Sequence, residues 1–299
     1  KARAEKELAE KEQLLKDGAK QRIVNGKVVA RTASKYYAKQ KDAELSQGFV
    51  AESERMDEYP INDRFDYAYE LTRLVASKKA PSAIITGEGG LGKTHTVLKA
   101  LNDSGLTDIT DLDGLADGTV VRNAFKVIKG YSTPKGLYIN LFENKNNIVV
   151  FDDCDSVLKD PDAVNILKGA LDSYSKRVIT WSTAIRDDDI PRSFRFEGGV
   201  IFVSNMTRNR IDQAVRSRSI NVDLSMTTDQ KLDRMEVLIA EDEFLPEIST
   251  NYKQLALEII REVKDKAREI NLRTLISVTK VLHSDNPRAV DMAKYMICN

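Results

Sequence analysis

The stretch SAIITGEGGLGKTHTVLKAL, residues 82–101, governs how the rest of the chain is read. It opens on a short β-rich run, Ser82–Thr86, turns through a glycine loop and continues as a helix over Thr94–Leu101. Inside it, Gly87, Glu88, Gly89, Gly90, Leu91, Gly92, Lys93 and Thr94 fit G-x-x-x-x-G-K-[ST] at every fixed position, with the strand and helix that the pattern requires on either side. Glycines let such a loop curl until successive backbone N–H groups point at phosphate oxygens, and the following helix adds the positive end of its dipole. Lys93 would place a compact charge beside the β- and γ-phosphates of ATP, Thr94 would ligate Mg2+ through its hydroxyl, and His95 completes the nucleotide-contacting set. A chance glycine loop is the bland alternative, and the flanking strand and helix weigh against it.

Working outward, NIVVFDD at 147–153 is an apolar strand ending in two carboxylates. In an open parallel sheet such a strand delivers acid to the carboxyl edge, where ligands bind. Asp152 would hold the magnesium, and Asp153 would orient and deprotonate the attacking water. On its own this could equally be a core strand with a solvated acidic turn. A third apolar run covers Val200–Val203, and no strand is expected after Leu224.

The remaining segments read as helices. Asn62 is expected to cap a helix through about Ser77, and Thr227 with Gln230 forms a capping box for one through about Ala240. Further helices are expected from Ser249 or Thr250 through about Glu269, over Leu272–Leu282, and from Asn286-Pro287 onward. The expected fold is α/β, a P-loop parallel sheet flanked by helices, followed by an all-helical lid and preceded by a helical extension. The expected divisions are a charged and basic extension at 1–59, an ATP-binding unit at 60–225 and a lid at 226–299.

The order of these motifs resembles the AAA+ ATPase family over about residues 60–299. Ile201–Asn205 looks like sensor 1, which implies that Asn205 helps to place the water. Ile211–Arg218 is similar to the family's "pAL.SR" segment, which implies that Arg218, or failing it Arg216, is an arginine finger reaching a neighbouring subunit's nucleotide. Asn271–Leu275 looks like sensor 2, with Arg273 facing the nucleotide from the lid. Many family members carry Glu where Asp153 stands; the shorter side chain sits further from the water, and Asp-Asp pairs occur in initiator and helicase-loader relatives. Arg177–Trp181 and Ser193–Phe196 read as a hairpin flanking Ser182–Arg192, similar to the one before sensor 1 in unfoldases, branch-migration motors and replicative helicases. The overall style resembles ATP-binding AAA+ proteins of large tailed phages.

The resemblance implies a homo-oligomeric ring or spiral, with a hexamer as the expected form. Residues 20–41 carry seven basic side chains and no acidic one, with Tyr36 and Tyr37 among them, which fits nucleic acid; a solvated charged face is the alternative. Tyr131, after Lys129 and Gly130 and just before a helix expected to start near Ser132, stands about where a pore residue would grip a protein substrate. A third reading is a switch assembled by ATP binding alone. Lys+Arg and Asp+Glu both number 46, so net charge points to no partner class, and 41% hydrophobic residues suffice for a core. Two cysteines, no apolar run near the roughly 20 residues of a membrane span and no visible signal peptide make a cytoplasmic protein without membrane contact the expectation. The chain opens on Lys1 rather than methionine, which fits a fragment of a longer protein.

Overall fold

The computed structural model describes residues 21–24, 27–30, 59–111, 122–173, 176–182, 190–284 and 286–299. The chain divides into two units, Lys1–Met56 and Asp57–Asn299. In the first, β1 (Gln21–Val24) and β2 (Lys27–Ala30) pair as an antiparallel hairpin in the middle of the basic run. Residues 1–20 of the expected helical extension and the tyrosines at 36 and 37 lie outside the described residues.

The second unit begins with α1 (Ile61–Ala76), β3 (Ser82–Thr86), α2 (Lys93–Asp103), β4 (Thr107–Asp108) and β5 (Ala124–Lys129). It continues through α3 (Pro134–Glu143), β6 (Ile148–Asp152), α4 (Asp155–Lys159), α5 (Pro161–Ala170), β7 (Val178–Thr180) and β8 (Ser193–Arg195). Then come β9 (Gly199–Ser204), α6 (Gln213–Arg216) and β10 (Ile220–Asp223), and the helices α7 (Thr228–Ile239), α8 (Thr250–Val263), α9 (Leu272–Leu282) and α10 (Ala289–Cys298). Six strands form one sheet in the order β10-β3-β9-β6-β5-β4, and every pairing is parallel.

Strand periodicity of two explains the layering. Ile84, Val149, Phe151, Val200 and Phe202 face one buried side with Leu137, Leu141 and Leu167 of α3 and α5. Ile85, Ile148, Val150, Ile201 and Val203 face the other, with Phe65, Ala68, Val97 and Leu101 of α1 and α2. A strand buried on both faces reads as a nearly continuous apolar run, as the middle strands do between their polar ends. The last four helices enclose a core of their own around Met235, Leu257, Ile260, Leu275, Val278 and Ala293.

The hairpin β7–β8 forms as expected, Ile179 opposite Phe194. It packs on α3 through aromatic contacts: Tyr138 lies 5.1 Å from Phe194 and 5.8 Å from Trp181, centroid to centroid. The Tyr138 hydroxyl donates to the Pro191 carbonyl at 2.6 Å. Residues 183–189, with the Asp187-Asp188-Asp189 run, lie outside the described residues.

Four local expectations are corrected. Pro60 takes the N-cap position of α1, with no side-chain cap, and Asn62 instead accepts from Arg234 Nη1 at 3.1 Å. The helix after Ser249 ends at Val263, followed by a 3-10 turn at Lys264–Lys266, because Arg268 N–H donates to the Ile297 carbonyl and draws the chain to α10. Pro287 lies before α10, whose cap position is Arg288. The helix expected near Ser132 starts at Pro134, capped by the Thr133 hydroxyl, which accepts from Gly136 N–H at 3.0 Å. None of the described helices is long and apolar enough to cross a membrane.

Gly198 closes the turn into β9 so tightly that an added Cβ would stand 2.1 Å from the Asn147 carbonyl oxygen. Gly198→Ala is expected to destabilise the fold by about 1–3 kcal/mol, the usual range for overpacking. A urea titration followed by circular dichroism would register this as a lower midpoint with an unchanged slope.

Candidate functional site

The glycine loop joins β3 to α2 at the carboxyl edge of the sheet. Gly92 has φ 91° and ψ 8°, the left-handed conformation, and forms the N-cap of α2. The loop turns Lys93 inward until it is 5% exposed. Its ammonium donates to the carbonyls of Gly87 at 2.9 Å and Glu88 at 2.7 Å, and to Asn205 Oδ1 at 2.9 Å. Burial pulls the Lys93 pKa below its ordinary value, while Asp153 and Asp152 oppose that shift.

The strand register places the acids. Asp152 ends β6 opposite Val203 of β9, and Asp153 N–H donates to the Val203 carbonyl at 3.0 Å. Asp152 is buried, and its Oδ1 accepts from the Thr94 hydroxyl at 2.8 Å. Asp153 has φ 54°, a left-handed conformation that aspartate tolerates better than most residues. Its Oδ1 accepts from Asn205 Nδ2 at 2.7 Å. Burial, then the Asp152 charge, raises the Asp153 pKa, with Lys93 and Arg273 pulling it back.

Thr94, Asp152, Asp153, Lys93 and Asn205 thus meet at one edge, although they come from three separated stretches of sequence. The Thr94 hydroxyl and the Asp152 carboxylate converge as hard oxygen donors, which fits Mg2+. Among the described residues no group of three or more His, Cys, Asp or Glu side chains is placed to hold a metal ion. A metal at this edge would therefore take the rest of its ligands from water and phosphate, as Mg2+ commonly does.

Sequence reading missed Lys129 and the lid contacts. Lys129 ends β5, a strand not singled out beforehand, and its Nζ lies 3.7 Å from Asp152 Oδ2. From the lid, Leu272 N–H donates to the Gly90 carbonyl at 2.9 Å, and Lys231 pairs with Glu88 at 2.5 Å. Arg273 follows Leu272 directly, is exposed, and lies near enough for its charge to lower the pKa of both Lys93 and Asp153. Between loop and lid, Leu91, Met226, Lys231, Arg234, Met235, Asn271 and Leu272 meet in a tight junction with no room for a bound molecule.

Other candidate residues stand apart. His95 is exposed on α2. Arg218 Nη1 donates to the Ala214 carbonyl at 2.9 Å, and the Arg218 carbonyl accepts from the hydroxyl of Ser82, the first residue of β3. It therefore sits at the amino end of the strand whose carboxyl end carries the glycine loop, about 15 Å away at strand rise. Arg216 is partly buried on the same turn. Tyr131 is 79% exposed beside Gly130, whose φ is 85°.

No family model matches the chain. The uncharacterized 36.7 kDa protein of the nrdC-mobD intergenic region of Enterobacteria phage T4 is 30% identical over 243 residues, covering 75% of this chain and 70% of that protein. The chain belongs to the family of that phage protein. Its glycine loop between a parallel strand and a helix, its six-stranded parallel sheet and its helical lid give it a P-loop α/β fold. Among solved structures, a mutant Thermotoga maritima RuvB is similar at TM-score 0.47 and 12% identity, over 80% of this chain and 71% of that one. Caenorhabditis elegans PCH-2 is similar at TM-score 0.42 and 16% identity, over 80% and 66%. The fold assignment rests on the chain's own topology rather than on these two likenesses.

Gly90 has φ 73°, and a Cβ there would lie 3.1 Å from Asn271 Cγ, so no other residue fits between loop and lid without strain. Gly90→Ala is expected to cost about 1–2 kcal/mol at this junction. Hydrogen exchange at Leu272 should quicken; exchange as slow as in the unsubstituted protein would show that the junction accommodates a side chain.

Proposed function

We propose that this chain binds and hydrolyses ATP with magnesium at the interfaces of an oligomer, using the energy to remodel a macromolecule. The observation that carries this reading is the meeting of Lys93, Thr94, Asp152, Asp153 and Asn205 at one sheet edge. Lys93 would exchange its loop carbonyls for phosphate oxygens, and Thr94 and Asp152 would hold magnesium. When bound, the metal supplies charge neutralisation at the β- and γ-phosphates. Asp153 would take the proton of the attacking water, and Asn205 would hold Asp153 and Lys93 in register. Arg273 would approach the phosphates from the lid.

The place of Arg218 supports an oligomer. A guanidinium at the amino end of β3 does not reach its own chain's loop, so a role at the γ-phosphate requires a neighbouring copy, with Arg216 as the alternative finger. A ring or spiral, most simply a hexamer, satisfies this. On the substrate, the Asp152-Asp153 pair and the basic run at 20–41 with its tyrosines favour a motor or loader in DNA replication or recombination. The exposure of Tyr131 favours the second reading, a protein remodeller gripping polypeptide. A switch assembled by ATP binding is the third.

Lys93→Ala should greatly weaken ATP binding, and Asp153→Asn should bind ATP and stop turnover. Arg218→Ala should bind ATP normally and turn over about 10³–10⁵-fold more slowly. Mixing Arg218→Ala with Lys93→Ala should restore part of the activity, because some interfaces would pair an intact finger with an intact loop. Normal turnover by both Arg218→Ala and Arg216→Ala would remove the finger from the mechanism.

Turnover measured alone and with single-stranded DNA, duplex DNA or an unfolded protein distinguishes the substrate readings. Stimulation by DNA only is expected on the first reading. Stimulation by unfolded protein only would establish the second.

A further inference from the structure

A third carboxylate, Asp155, stands two residues beyond Asp153, and the reading above gives it no task. Its Oδ1 accepts from the Ser204 hydroxyl at 2.6 Å, a partner 49 positions away in the chain. An acid in the first turn of a helix is often accounted for by the helix dipole alone. Here α4 is five residues long, and the carboxylate is directed across to the end of β9.

Ser204 is 1% exposed, so its hydroxyl has no water to turn to. The hydroxyl donates to Asp155 and accepts from Met206 N–H at 3.0 Å. This is a serine turn in which one side chain fixes the backbone on both sides of the intervening residue. The intervening residue is Asn205, whose amide takes Lys93 on one side and gives to Asp153 on the other. The amide can serve both only if its backbone is held still.

We infer that Asp155 is a positioning residue of the hydrolytic site, fixing the Asn205 turn through the buried Ser204 hydroxyl. The inference rests on the ATPase reading proposed above. Asp155 acts on Asn205 through Ser204. A hydrogen bond to a carboxylate is shorter and stronger than one to a neutral acceptor, which suits a hydroxyl that must stay in one rotamer.

The test compares ATP turnover, ADP affinity and melting temperature for the unsubstituted protein, Asp155→Ala, Asp155→Asn, Ser204→Ala and the Asp155→Ala/Ser204→Ala pair. Asp155→Ala should lower kcat about 10- to 100-fold, the order expected from a small misplacement of a catalytic group, and leave ADP affinity unchanged. Asp155→Asn keeps an oxygen that accepts from Ser204 and should recover most of the turnover. In the Ser204→Ala background, removing Asp155 should cost nothing more. Asp155→Asn as slow as Asp155→Ala would show that charge matters rather than the bond, and would overturn the inference. Additive losses in the pair, or ADP affinity falling in step with turnover, would also overturn it. An unsubstituted protein without ATP turnover would remove the ATPase reading itself, whereas full activity in Asp155→Ala removes only the positioning role.

Discussion

A buried ammonium with no partner would be neutralised or expelled, and Lys93 is buried. Three oxygens surround it, two from the glycine loop and one from Asn205 at the end of β9. The two aspartates at the carboxyl end of β6 oppose the loss of its proton. Satisfying this one charge therefore requires loop, acidic strand and neighbouring strand to end at the same level. The parallel register, with Asp152 opposite Val203 and Thr86 opposite Ser204, provides that level. The same edge is held again by Thr94 on Asp152 and by Ser204 on Asp155. What the sheet aligns, side-chain hydrogen bonds fasten.

The legibility of the chain follows from where its signals lie. The glycine loop was readable because its constraint is local: a strand, a curl and a helix start within one short stretch. The lid helices were readable from capping, and the Thr227–Gln230 box and the span Leu272–Leu282 appear as expected. Strand β5 went unnoticed since AFKVIK mixes charge into a strand near the edge, whose pattern is set by tertiary neighbours. The hairpin of β1 and β2 had a usable signal, the Asn25-Gly26 dipeptide between two β-branched runs. The dense basic charge of the same segment masks that signal.

Asn62 and Asp155 illustrate a different limit. Each is a residue type with a good local role, helix cap for one and first-turn acid for the other. Each is instead used at long range, Asn62 by Arg234 and Asp155 by Ser204. Nothing in a single sequence separates the two uses, since the competing partner is more than forty positions away. Arg234 also lies 4.4 Å over the Phe65 ring, so this contact between lid and α1 combines a hydrogen bond with a cation–π contact. Burial lowers its pKa, which fits a guanidinium spent on structure.

The two edges of the sheet divide the proposed chemistry unevenly. Lys93 and Asp152 are buried, whereas Asp153 and Asn205 are exposed. Fixed dipoles and charges stabilise a transition state most where water is excluded, and an exposed general base loses much of that benefit. The lid covers the glycine loop through Leu272 and Lys231, which protects the phosphate side of the edge. The water side has no such cover from the described residues of this chain, while Arg218 waits at the far end of β3, folded on Ala214. A second copy presenting that end of its sheet to this edge would supply cover and guanidinium together. On the proposed reading, a neighbouring copy of the chain would answer both the openness at Asp153 and the remoteness of Arg218.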